Sequence, residues 1–247
     1  RKVYEQYVRD TVGHFKGRVY FWDVCNEHLS VPYQSDGWMF WNPKTGSRGY
    51  WKAYNMDPRD PERGYDWYVK TLTIAHEADP QAKLVLLDFN NEIVCPKSDT
   101  MLALAKLLLA KKLPLHGIGF QMHINTVCRR VHKEKVQHNL TDDEYFDSMR
   151  KNIKRFTDLG LDVWITEMSV DVNPENPLEA ELKRQAEIYR LVFDVCLENP
   201  GMKGIKLWGV LDDNPKSKSC LFDAQGRAKP AFFAVQDTLA NYRTTTR

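Results

Sequence analysis

No C-x-x-C pair occurs among the five cysteines (Cys25, Cys95, Cys128, Cys196, Cys220), so no zinc or dithiol redox motif is present. The odd count leaves at least one thiol outside any intrachain pairing. No apolar stretch approaches the roughly 18 residues that a membrane span requires. Charge of one sign is also missing: 35 basic residues stand against 33 acidic ones, a net charge of +2, so no global field selects nucleic acid or an anionic membrane. The longest basic cluster, Arg129-Arg130-Val131-His132-Lys133, sits among polar residues and reads as a solvated loop. No glycine-rich phosphate turn follows any strand pattern, which leaves nucleotide binding without support. His76-Glu77 lacks a second histidine four residues later and is no zinc-protease helix. Neither a linker rich in proline or glycine nor a low-complexity tract divides the 247 residues, which read as a single domain over 1–247.

What is present is alternation. Helical periodicity over 3–15 precedes a strand over 18–24; a helix over 66–79 precedes a strand over 83–88. A helix over 99–112 leads to a strand over 117–123, and a helix over 142–159 to a strand over 162–166. In that last helix Tyr145, Met149, Ile153 and Phe156 share one face. A helix over 178–198, a strand over 204–208 and a helix over 229–242 complete the pattern. Five strands separated by helices imply right-handed βαβ units and a parallel sheet. Both an open doubly wound sheet and a (β/α)₈ barrel satisfy that alternation.

Two runs end on a glutamate. Val19-Tyr20-Phe21-Trp22-Asp23-Val24 leads through Cys25-Asn26 to Glu27, and Leu161-Asp162-Val163-Trp164-Ile165-Thr166 leads to Glu167. Short, β-branched and aromatic, each reads as a strand covered on both faces, with its carboxylate directly beyond the strand. Two carboxylates at strand ends are what glycoside hydrolysis needs, one as proton donor and one as nucleophile or base. Taken singly, each glutamate reads more readily as a capping or surface ion-pair residue. Gln121 and His123 alternate onto one face of a third strand, and both can hydrogen-bond a carboxylate or a sugar. Trp208, closing the last strand, reads either as core filling or as a floor for a pyranose ring. The segment from 29 to 65 carries Tyr33, Trp38, Phe40, Trp41, Tyr50, Trp51 and Tyr54, rings suited either to packing on one another or to lining a saccharide cleft. Asn139-Leu140-Thr141 is a glycosylation acceptor sequence, compatible with secretion. The opening Arg1-Lys2-Val3-Tyr4 enters helical periodicity without the apolar core of a signal peptide.

Together these segments resemble glycoside hydrolase family 10, the endo-β-1,4-xylanases. Trp22-Asp23-Val24-Cys25-Asn26-Glu27 is similar to that family's W-D-V-x-N-E, and Gly117-Ile118-Gly119-Phe120-Gln121-Met122-His123 to its G-[IV]-G-x-Q-x-H. Ile165-Thr166-Glu167 resembles the nucleophile strand, Trp208-Gly209-Val210-Leu211-Asp212 the W-G-V-x-D, and Leu221-Phe222-Asp223 with Lys229-Pro230-Ala231 the closing L-F-D and K-P-A. The resemblance implies a (β/α)₈ TIM-barrel fold and retaining hydrolysis of xylan-type polysaccharide outside the cell, without metal or cofactor. It makes Glu27 the acid/base and Glu167 the nucleophile, with Asn26 on the sugar 2-hydroxyl, His123 holding Glu167, and Gln121 and Trp208 at the substrate.

Departures from the family pattern define further expectations. Ser169 stands where an aspartate follows the nucleophile by two residues, so the partner of His123 is weakened or replaced. Leu87-Asp88-Phe89-Asn90 stands for N-D-Y-N, and Pro215-Lys216 for S-W. The match begins just before the family's fourth strand, with no counterpart of strands one to three. A sheet of five strands leaves open edges, so the expectation is a piece of a longer polypeptide whose 247 residues alone are inactive or unstable. The alternative function is a non-catalytic saccharide-binding relative of the same fold.

Overall fold

A computed structural model of the chain describes residues 2–29, 66–127, 131–132, 135–136, 140–173, 176, 178–213 and 218–245. The aromatic segment beyond Leu29, Cys128, Arg129, Arg130, Lys133, Asn139 and Pro215-Lys216 lie outside them. The chain divides into two compact units: residues 1–91, 95–119 and 155–162 form one, and 92–94, 120–154 and 163–247 the other.

In the first unit, α1 (Lys2–His14) packs on α2 (Asp66–Ala78). The Tyr4 and Thr71 hydroxyls, 2.8 Å apart, join the two helices. β1 (Phe21–Asn26) runs parallel to β2 (Lys83–Asp88), with Phe21 opposite Lys83 and Asn26 opposite Leu87. β3 (Gly117–Phe120) lies on the other side of β2. Leu84, Val85, Leu86 and Leu87 are wholly buried, as are Leu104, Ala105 and Leu108 of α3 (Pro96–Ala110). Burial of each such leucine contributes about 1.5–3 kcal/mol. β1 departs from the sequence expectation. Only Cys25 is buried along it, because β1 is an edge strand whose partner among the described residues is β2.

The turn after α1 needs Gly17, whose φ of +72° any side chain would resist. Its N–H donates to Asp79 Oδ2 at 2.8 Å, and the Gln81 N–H donates to the other oxygen. These bonds, Gly17's foremost, hold the Asp79 carboxyl below its ordinary value. A carboxyl depressed in the folded state stabilises above its unfolded value of about 3.9, and the contribution is lost as pH falls through the folded value. Asp79→Asn is therefore expected to flatten part of the decline in urea midpoint below about pH 4. An unchanged acid limb would show that Asp79 carries none of that dependence.

In the second unit, β7 (Asp162–Asp171) has β4 (His123–Asn125) on one side and β8 (Met202–Leu207) on the other, both parallel to it. β5 (Val131–His132) and β6 (Lys135–Val136) form a small antiparallel ladder where the sequence reads as a loop. α4 (Asp142–Thr157) starts with a capping box. Glu144 N–H donates to Thr141 Oγ1 at 3.4 Å and Thr141 N–H to Glu144 Oε2 at 2.8 Å. The predicted face is borne out, with Tyr145, Met149, Ile153 and Phe156 all fully buried. α5 (Leu178–Leu197) packs on α6 (Pro230–Thr245). β8 is mostly exposed, since β7 is its partner among the described strands.

Two further expectations are corrected. Residues 117–123 are not one strand: Met122 adopts φ +61°, which ends β3 and starts β4 at His123. Gln121 and His123 therefore share no face, and Gln121 is buried while His123 is partly open. Nor does β7 stop before Glu167. Its distal half is held by β4, through Ser169 opposite His123, and by β8, through Met168 opposite Leu207. The strand thus runs on past the glutamate.

No helix among the described residues is long and apolar enough to cross a membrane. Among the described residues, no disulfide joins Cys25, Cys95, Cys196 or Cys220.

Candidate active site

Glu27 follows β1 with φ +51°, a left-handed backbone that a glutamate adopts only where its surroundings enforce it, at a cost of about 1–3 kcal/mol. Two bonds enforce it here. Glu27 N–H donates to Leu87 O at 3.2 Å, and Leu29 N–H donates to Asp88 Oδ2 at 2.8 Å. The chain thus leaves Asn26 and Glu27 exposed and turns His28 and Leu29 inward. Left-handed non-glycine residues also lie just beyond β2 (Asn90) and β3 (Met122), so three strand ends carry this strain.

Beneath the turn lies a buried ion pair. Lys97 Nζ donates to Asp88 Oδ1 at 2.6 Å, both side chains are wholly buried, and the ammonium sits 3.4 Å from the Phe89 ring centroid. Phe89 N–H also donates to Asp88. Burial raises Asp88 above the usual carboxylate range, opposed by the charge of Lys97. Burial likewise lowers Lys97, opposed first by Asp88 and in smaller measure by Glu27. His28 Nδ1 is 2.6 Å from the Tyr68 hydroxyl. Burial, then the Lys97 charge, lowers His28 to about 3, so its ring is neutral.

In the second unit Glu167 and His123 meet. Nε2 of His123 is 3.1 Å from Glu167 Oε2, and Nδ1 is 2.8 Å from Ser169 Oγ. The parallel register explains the arrangement: His123 faces Ser169 across the ladder, and Glu167 is two residues back on the same side of β7. Trp208 follows β8, its N–H donating to Met168 O at 2.9 Å. Its ring is 60% exposed and stands edge-to-face with His123, centroids 5.9 Å apart. Core filling is therefore not its role. Gly209 sits at φ +91°, and a Cβ there would lie 3.0 Å from Cys220 Sγ, tighter than ordinary contact. The segment after it is held by Lys229, whose Nζ donates to Asp212 at 2.8 Å and to the Lys218 and Cys220 carbonyls.

Of the six residues singled out by sequence, the structure brings Glu167, His123 and Trp208 into one cluster, with Gln121 buried two residues upstream of His123. Asn26 and Glu27 lie together at the end of β1. Sequence reasoning missed Lys97, which precedes the expected helix start at 99 and looks like a loop cation. Proline at position 96, favoured in a helix's first turn, is the signal that moves the start back. No group of three or more His, Cys, Asp or Glu placed to hold a metal ion occurs among the described residues.

A parallel α/β chain with Glu27 just beyond β1 and Glu167, held by His123, within β7 carries the residue type that glycoside hydrolysis employs. Comparison with known proteins makes it particular. Residues 1–238 match the model of Glycosyl hydrolase family 10, and the chain belongs to that family, whose fold is of (β/α)₈-barrel type. Endo-1,4-beta-xylanase B of Thermotoga neapolitana is 32% identical over 245 residues, covering 96% of this chain and 61% of that protein. Native xylanase 10B from Thermotoga maritima superimposes with a TM-score of 0.77 at 33% identity, covering 100% of this chain and 68% of that one. Xylanase 10B from Thermotoga petrophila, solved in complex with xylobiose, gives 0.77 at 33% identity, covering 97% and 65%. The chain thus spans about three fifths of the length of the first curated relative it matches.

Proposed function

We propose that this chain carries the machinery of an endo-acting, retaining β-1,4-xylanase, with Glu27 as acid/base and Glu167 as nucleophile. The observation that best supports this reading is the Glu167–His123 contact beside an exposed tryptophan: a carboxylate held in place next to a flat apolar surface. The bound xylobiose of the related Thermotoga petrophila enzyme supports xylan as the substrate class.

In the first step Glu27 gives its proton to the glycosidic oxygen while Glu167 attacks the anomeric carbon. The bond to the leaving sugar breaks as the bond to the Glu167 carboxylate forms. Esterification removes the negative charge of Glu167, which favours the ionised form of Glu27 for the next step. Glu27 then takes a proton from water as that water displaces Glu167. Two inversions give net retention, and the chemistry requires the two carboxyls about 5–5.5 Å apart. Asn26 is assigned to the sugar 2-hydroxyl, and Trp208 to stacking on a pyranose face. His123 orients the nucleophile, and Gln121, being buried, supports the site from behind. No metal or cofactor enters this chemistry. Action outside the cell is inferred from the family resemblance alone.

An aryl β-xylobioside tests the proposal in the complete protein. Turnover is expected, and proton NMR should show the β-anomer of xylobiose forming first. Initial α-product would remove the nucleophile assignment. Binding of xylobiose without turnover would favour a non-catalytic saccharide-binding relative.

A further inference from the structure

The partner on the far side of His123 is a hydroxyl, and that choice has a consequence for the ring. Ionised Glu167 can only accept a hydrogen bond, so the 3.1 Å contact requires the proton on His123 Nε2. Nδ1 then has two states. In a neutral ring it is a bare acceptor; in a cationic ring it is a second donor. A carboxylate at position 169 could serve only the cationic ring. A hydroxyl can donate, so at 2.8 Å it satisfies Nδ1 of a neutral ring with no bond lost. Ser169 is well placed for this: it is buried, it faces His123 in the β4–β7 register, and its own N–H donates to Met122 O at 3.3 Å, which fixes the backbone. Among the described residues, Glu167 and Ser169, both on β7, and the Trp208 ring lie against His123.

We propose that Ser169 is a positioning residue: its Oγ–H donates to His123 Nδ1 and keeps neutral the ring whose Nε2–H holds Glu167. The catalytic consequence rests on the reading of Glu167 as nucleophile; the hydrogen-bond assignment does not. A neutral donor orients Glu167 without placing a full positive charge beside it, so the carboxylate keeps more of its nucleophilic character than it would against an imidazolium.

Nitrogen-15 NMR of the histidine-labelled complete protein at neutral pH tests this. The expected His123 spectrum shows a protonated Nε2 and an unprotonated Nδ1. A protonated Nδ1 at the same pH overturns the proposal. Ser169→Ala leaves Nδ1 without its donor and should lower kcat by about fivefold to thirtyfold, the range for one or two kcal/mol, with little change in KM. Ser169→Asp should protonate Nδ1 and extend the imidazolium to higher pH. An unaltered kcat in Ser169→Ala would also overturn it. Should Ser169→Ala fail to fold, the wild-type and Ser169→Asp spectra still decide. An Nε2–H tautomer in a protein that turns over no xyloside would sustain the Ser169 assignment and sink the xylanase reading; turnover with a protonated Nδ1 would do the reverse.

Discussion

Glu167→Ala is expected to lower kcat/KM on an aryl β-xylobioside by on the order of 10⁵-fold, the scale on which a covalent nucleophile is lost. Without the carboxylate no glycosyl–enzyme bond can form, and water must reach the anomeric carbon from the vacated face unaided. An added anion small enough to enter that face should restore turnover, and its product should be the α-glycosyl adduct, because only one inversion then occurs. The free carboxylate is also the acceptor for His123 Nε2, so the variant leaves that donor unpaired at 3.1 Å from an empty position. Fold integrity is therefore to be checked by urea denaturation alongside the rates. Activity that survives Glu167→Ala undiminished would remove this residue from the mechanism.

The positions of Glu27 and Glu167 relative to the strand-forming runs before them were legible in the sequence because strand patterning is a local property. Val163, Trp164 and Ile165 form a buried run, and Glu167 falls on it at the predicted place, although the strand itself continues to Asp171. That continuation is set by β4 and β8, partners remote in sequence, and no window of β7 alone contains it. The break at Met122 was invisible for a related reason. Alternation from Gly117 to His123 is unbroken in residue type, and only the backbone reveals a left-handed methionine inside it. Ser169 could be recognised as a departure from the family pattern, but its bond to Nδ1 depends on the β4–β7 register. β1 gave the opposite error. Its aromatic and β-branched residues promise burial on both faces, yet as an edge strand it keeps only Cys25 from solvent. Composition reports what a strand can bury, while the neighbours decide how much of it is covered.

Lys97→Met is expected to destabilise the protein by about 3–5 kcal/mol, the usual result of removing one partner from a fully buried ion pair. Methionine keeps most of the apolar stem, so the loss reports the charge and not a cavity. Asp88 keeps the N–H groups of Leu29 and Phe89 but loses the ammonium at 2.6 Å. Burial already raises its folded value, and without Lys97 that value rises further. A raised carboxyl contributes stability that is present below its unfolded value of about 3.9 and is lost as pH rises through the folded value. The deficit of the variant should therefore be small below about pH 4 and grow toward neutrality. Urea midpoints across that range, at constant m-value, measure it. Asp88→Asn combined with Lys97→Met should recover much of the loss, because no charge is then left buried. A single variant within about 1 kcal/mol of wild type at neutral pH would mean that water or another cation already serves Asp88. The same ion pair holds the Leu29 amide that turns the chain after Glu27. Loosening it should therefore lower kcat more than it raises KM, since geometry at the acid/base is needed in the transition state and less so for binding.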